Sequence, residues 1–164
     1  MNEERMLAVA SAIRKLPHDK KEWKEGEFSL DLSLENWADE NRPTHFNMSS
    51  WITFPYEDDN ETGECCTSAC VAGWTCAIFP EEVHIRYIQK AAASILGLND
   101  SESTALFLPS IAAWNKNYHL GSITPKMTAR VMEECVRKDV VFSSMITDIW
   151  KRVFLEAVES GEMD

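Results

Sequence analysis

The chain has 164 residues, with 16 Lys and Arg against 27 Asp and Glu, a formal charge of −11 with His neutral. That length suits one domain with its own core, and 45% apolar with 26% charged residues is the balance of a folded chain, not a disordered one. No apolar run reaches the roughly 18 residues of a membrane span, no signal-peptide pattern opens the chain, and the carboxylate surplus disfavours direct contact with nucleic-acid phosphates. The expectation is a cytoplasmic protein with neither a membrane nor a nucleic acid as partner.

Residues 3–16 read as a helix, because Met6, Val9, Ala10, Ile13 and Leu16 recur at spacings of three and four, with Asn2 as cap and Pro17 as stop. Residues 18–27 are a polar connection. Phe28-Ser29-Leu30-Asp31-Leu32 alternates like a short strand. A helix from Ser33 competes with it, since Leu34, Trp37 and Ala38 are helically spaced. Arg42-Pro43 ends whatever precedes it, as a residue before proline is pushed away from helical dihedrals. Residues 46–64 look irregular, punctuated by Pro55 and Gly63.

Thr67 or Ser68 is the expected cap of a helix running to about Phe79. Pro80 suits the first turn of the next, with Glu81 and Glu82 at its positive end and Gly97 as its stop. Ser101 or Ser103 is expected to cap a short helix through Phe107, closed by Pro109. Thr124-Pro125 opens a helix in which Met127, Val131, Met132, Cys135 and Val136 follow at helical spacing. Ser143 or Ser144 opens the last, with Ile146, Ile149, Trp150, Val153, Phe154 and Ala157 inside. The expected architecture is mainly α, about five to six helices, with a minor β or irregular element near residues 28–56. It forms a single compact domain over residues 1–164, an acidic segment 22–64 packed on a helical body 65–160.

The acidity is concentrated. Residues 22–64 hold twelve carboxylates against Lys24 and Arg42, a net of −10, while residues 65–164 carry nine cations and twelve anions. The same stretch contains Trp23, Phe28, Trp37, Phe46, Trp51, Phe54 and Tyr56, whereas disordered acidic tails are poor in aromatics. Its carboxylates are therefore expected on an ordered surface. Trp74, Trp114 and Trp150 lie in helical or tightly patterned contexts and are expected in the core; Trp23 and Trp37 sit among charges and are the interface candidates.

Four of the five cysteines, Cys65, Cys66, Cys70 and Cys76, fall within twelve residues. A zinc site would need paired ligand spacings, and here only His84 lies near, so Cys65, Cys66, Cys70 and His84 form a weak ligand set. A thiol nucleophile would place Cys66 or Cys70 at a helix start, where the dipole lowers a thiol pKa, with His18, His45, His84 or His119 as base. Burial as small apolar side chains is the simpler expectation, and no metal or cofactor is assigned. Asp58-Asp59-Asn60-Glu61-Thr62-Gly63 begins like a calcium loop, but Ala69 stands where the bidentate glutamate belongs.

Phe46-Asn47-Met48-Ser49-Ser50-Trp51 followed by Cys65-Cys66-Thr67-Ser68-Ala69-Cys70-Val71-Ala72-Gly73-Trp74 resembles a family of small uncharacterised proteins of bacteriophages and prophage-like elements. That family carries F-(D/N)-M-x-x-W and then C-G-T-x-A-C-I-A-G-W/H. Leu96-Gly97-Leu98, Leu106-Phe107 and Ile123-Thr124-Pro125 extend the resemblance over most of the chain, while Cys66 departs from the family's glycine. The resemblance implies an accessory protein acting inside an infected bacterial host, with no established activity attached.

Charge and resemblance together lead to one leading expectation: a non-enzymatic interaction protein whose acidic surface occupies a basic, nucleic-acid-binding surface of a host protein. An anti-CRISPR or anti-restriction inhibitor is the type case. Its contact residues would be Glu57, Asp58, Asp59, Glu61 and Glu64, with Trp23, Trp37, Glu35, Asp39 and Glu40. A metal-binding or thiol enzyme built on the cysteine cluster is the first alternative. A small-ligand or nucleotide-binding helical domain is the second, although no glycine-rich phosphate loop is present.

Overall fold

A computed structural model describes residues 1–20, 28–29, 43–48, 52–55, 68–83, 88–140 and 142–163. Helix α1 spans Glu3–Ile13. Met6, Val9, Ala10 and Ile13 make one fully buried stripe along it, and the Asn2 side chain accepts from the Arg5 amide at 3.1 Å, so cap and period agree. The Asn2 amide itself donates to the Leu96 carbonyl at 2.7 Å, fastening the start of the chain to the end of a later helix.

Four short strands follow: β1 Phe28–Ser29, β2 His45–Phe46, β3 Ile52–Pro55 and β4 Ser68–Ala69. They form one sheet in the order β1-β3-β4-β2. β3 pairs antiparallel with β1 (Phe28 opposite Pro55) and with β4 (Ile52 opposite Ala69), and β2 pairs parallel with β4 (Phe46 opposite Ala69). The turn after α1 extends the edge: Phe46 donates to the Pro17 carbonyl at 2.9 Å and Asp19 donates to the Phe46 carbonyl at 3.0 Å. The minor β element expected near 28–56 is present, and β4 adds a strand beyond it.

Ser68 and Ala69 were expected at or inside a helix start. They lie instead at the middle of the sheet, and α2 begins later, spanning Val71–Ile78 with Cys70 at the cap position. Backbone pairing with strands on both sides holds those two residues extended, so the helix begins only after Cys70. From Val71 to Ala77 every residue of α2 is buried; it is a core helix, hydrophobic all round.

The expected helix over 80–96 is divided. Pro80–Glu82 form one 3-10 turn, and α3 spans Ile88–Leu96. Gly97 ends α3 as expected, in the left-handed region at φ +64°. Helix α4 spans Asp100–Phe107 and is capped not by Ser101 or Ser103 but by Asn99, whose side chain accepts from the Glu102 amide while Glu102 accepts from the Asn99 amide, both at 2.9 Å. This reciprocal capping box satisfies two amide donors at once. Helix α5 is a single turn, Ile111–Trp114.

Thr124-Pro125 does open α6, Pro125–Arg137: the Thr124 hydroxyl accepts from the Met127 amide at 3.2 Å. Helix α7, Ser143–Ser160, is the longest, and its cap position is Phe142, with neither Ser143 nor Ser144 outside the helix. α1 packs on α6, α2 on α3, and α7 on both α6 and α4. One continuous core results, with Trp150, Phe46, Phe107 and Phe154 as its largest fully buried side chains. The mainly helical class stands, with seven α-helices among the described residues instead of five to six.

Candidate functional site

The expected acidic contact residues Glu57, Asp58, Asp59, Glu61, Glu64, Glu35, Asp39 and Glu40, with Trp23 and Trp37, lie outside the described residues, as do Cys65, Cys66 and His84. What is described is the frame around them. Residues 56–67 join β3 to β4, which are antiparallel neighbours, and residues 30–44 run from β1 towards β2 in the same sheet. The backbone at each end of both stretches is therefore fixed by strand pairing.

That sheet is in turn fixed to the helical core. Phe46, Asn47 and Met48 are buried, and so is the run Ala69 to Ala77. The two sequence blocks meet directly. Phe46 stands opposite Ala69, Asn47 donates to the Ala69 carbonyl at 3.1 Å, and the Trp74 indole donates to the His45 carbonyl at 3.1 Å. In this chain the described residues of both blocks pack against each other, which accounts for their residue types through burial.

The thiol chemistry considered for Cys70 does not survive its surroundings. Cys70 is 2% exposed, and burial pushes its thiol up to about 11, overriding the amides of Gly73 and Ala72 that draw it down. Burial likewise pushes Cys76 up to about 12, helped by the charge of Cys70, and Cys135 up to about 12. A thiolate is scarce at such values at neutral pH, so these three behave as small apolar side chains. Among the described residues no cluster of three or more His, Cys, Asp and Glu is placed to hold a metal, and Ala69, the twelfth position of the calcium-loop reading, is a buried strand residue.

Charged side chains also gather on α6 and α7. Glu134, its side chain only 9% exposed, is ringed by Arg130, Arg137, Lys138 and Arg152, and Glu156 joins Arg130 and Arg152 from the other side. Burial pushes the Glu134 carboxyl up, but the Arg152 hydrogen bond and the charges of Arg152, Arg137 and Lys138 together hold it below its ordinary range. The two carboxylates bind the cations to each other and the helices together, an arrangement suited to holding α6 against α7.

Two grooves on the helical body are bounded by described residues. One, about 400 Å³, lies where the end of α1 meets the start of α6 and the last turn of the chain; Arg14, His18, Lys126 and Glu162 line it. Its charges are mixed, and Arg14 is already paired with Glu133 at 2.6 Å. The other, about 570 Å³, lies between α4, α5 and the first turn of α7 and is lined by Ser and Thr side chains together with Trp114, Ala105, Leu108 and Pro109. Trp114, expected in the core, closes the single turn of α5 and is only partly buried, packed against the core on Phe154 and lining this groove. The hydroxyl spacing Ser101/Thr104 and Ser143/Thr147 was visible in the sequence; that the two rows face one groove was not.

No helix among the described residues is long and apolar enough to cross a membrane. No family model matches the chain, and neither a curated protein nor a solved structure matches it.

Proposed function

We propose that the protein is a non-enzymatic accessory protein of phage type that docks on a host protein with a basic, nucleic-acid-binding surface and thereby obstructs it. The supporting observation is the charge segregation: twelve carboxylates against two cations over residues 22–64, in a stretch whose described portions include three strands of one sheet. Fixing the backbone at both ends of an acidic connection lowers the entropy lost on binding, and a concentrated negative field steers association with a cationic partner. Carboxylates spaced along such a connection would take the place of phosphates.

The test is capture from bacterial lysate with the full chain, repeated with a variant carrying Glu57→Gln, Asp58→Asn, Asp59→Asn and Glu61→Gln. The expected result is a retained basic protein that salt elutes, that added DNA or RNA displaces, and whose affinity falls at least tenfold in the variant. Equal retention by the neutralised variant, or indifference to competing nucleic acid, overturns the reading.

A further inference from the structure

We propose that the groove between α4, α5 and α7 is a binding site for a neutral, polyhydroxylated ligand, a short saccharide. Among the described residues, none of those lining the groove belongs to the acidic segment. Its volume, about 570 Å³, falls within the roughly 300–1,000 Å³ of small-molecule sites.

The lining selects the ligand chemistry. Ser101, Thr104, Ser110, Ser143 and Ser144 all face it. Among the described residues none of these five hydroxyls is hydrogen-bonded to another protein group, in contrast to Thr147 beside them, which donates to the Ser143 carbonyl at 3.3 Å. Each hydroxyl both donates and accepts, so the groove presents matched hydrogen-bonding capacity of both kinds. An apolar occupant would strip these groups of water and give nothing back. Among the described residues no Lys, Arg or His lines the groove, and the one charged side chain is the Asp100 carboxylate. The first turns of α4 and α7 bring their positive ends to the groove, but the Asp100 carboxylate opposes them and no cationic side chain among the described lining residues is there to pair an anion. A sugar ring instead offers hydroxyls that donate and accept in turn, and two adjacent ones can donate to a single carboxylate such as Asp100.

Trp114 supplies the other half of saccharide recognition, an aromatic surface for the ring's C–H face. The three described tryptophans differ here. Trp74 and Trp150 donate their indole N–H to backbone carbonyls at 3.1 and 3.2 Å, whereas among the described residues Trp114 has no partner for its own. Its ring is held by tilted packing on the buried Phe154, centroids 5.9 Å apart, and Phe154 is braced edge-on by Tyr118 at 5.6 Å. An indole that packs on the core and also lines a groove is suited to an amphipathic ligand. The walls are fixed as well: Trp150 of α7 donates to the Leu106 carbonyl of α4, tying the two hydroxyl-bearing helices together.

The experiment screens the purified full chain against an array of neutral mono- to tetrasaccharides of the gluco, manno, galacto and N-acetylglucosamine series, and titrates any that bind by ligand-observed NMR. The triple variant Ser101→Ala/Thr104→Val/Ser144→Ala changes only exposed positions, and an unchanged melting temperature confirms that it folds. The expected result is a saccharide bound by the wild type, insensitive to added salt, and weakened at least tenfold by the triple variant. No saccharide bound up to about 10 mM, beyond the weak end of useful affinity, overturns the proposal. So does a saccharide that the triple variant binds equally well.

Discussion

Arg152 on α7 donates one arm of its guanidinium to Glu134 on α6 and the other, at 3.0 Å, to Glu156 one turn further along α7. Arg130 closes the loop by donating to Glu156 and lying 3.6 Å from Glu134. The carboxylate of Glu134 is thus almost enclosed, while its cationic partners remain between 39% and 70% exposed.

That mixture sets the expected size of Glu134→Gln. Exposed pairs contribute about 0–1 kcal/mol, and breaking a buried pair costs about 3–5 kcal/mol. Solvent screens the cations here, so a loss of about 1–2 kcal/mol is expected at pH 7. Because the folded protein holds this carboxyl below its ordinary value, its contribution is complete above that value and is lost as pH falls through the depressed one. Urea unfolding of wild type and variant should differ at pH 7 and converge at strongly acid pH; a gap that persists there counts against the ion-pair account.

His18 gives a second pH dependence in a different window. Its Nε2 lies 2.9 Å from the Gly121 carbonyl oxygen, which makes that nitrogen the N–H donor. Burial lowers the imidazole pKa below 6.5, more than the carbonyl contact raises it, with Lys20 adding to the lowering and Asp19 opposing it. The unfolded chain therefore takes up a proton more readily than the folded one. Stability from this group is whole above about pH 6.5 and erodes as pH falls through the folded value. His18→Gln keeps an amide donor for Gly121 without titrating, and it should flatten the fall in melting temperature between pH 7 and 5. An unaltered slope would place the effect in other groups.

Cys70, Cys76 and Cys135 should resist iodoacetamide at pH 8 in the folded protein and react in urea. Burial both blocks access and raises their pKa to about 11, 12 and 12. Peptide mapping by mass spectrometry reads each thiol separately. Rapid native labelling of Cys70 would restore it as a nucleophile candidate.

Where the sequence reading succeeded, one local signal decided the structure. Met6, Val9, Ala10 and Ile13 in α1, and Ile146, Ile149, Trp150, Val153, Phe154 and Ala157 in α7, repeat with the helix period, and all are buried. Where it failed, a partner distant in sequence decided. Ser68 and Ala69 look like a helix start until β2 and β3 pair with them from either side. At α4 two local signals compete: Asn99 and Glu102 have capping-box spacing, while Ser101 and Ser103, two and four residues on, are equally good cap residue types, and the reciprocal bonds of the box decide for Asn99. For the site, composition disclosed the acidic concentration. The hydroxyl groove depends on α4 lying beside α7, a packing no local pattern encodes.

Three helices end in one way, and only two of them with the residue that the geometry favours. After α3, Leu98 donates to the Ala93 carbonyl and Gly97 to Ser94; after α7, Glu162 donates to Ala157 and Gly161 to Val158. After α6, Val140 donates to Cys135 and Asp139 to Val136 in the same pattern, but the left-handed position, φ +48°, is held by Asp139. Glycine takes that conformation without a Cβ penalty. Asp139→Gly should therefore stabilise the protein, by about 0.5–1 kcal/mol once glycine's greater unfolded-state freedom is set against the strain relieved. Gly97→Ala runs the other way: it forces alanine to φ +64° and brings its Cβ to 3.1 Å from the Asn2 backbone nitrogen, the same atom that bonds Leu96. A loss of about 1–2 kcal/mol from backbone strain is expected there, with more if the start of the chain is displaced from α3. Denaturant midpoints with an unchanged slope would confirm both signs; destabilisation by Asp139→Gly would mean that the aspartate side chain holds the turn by contacts of its own.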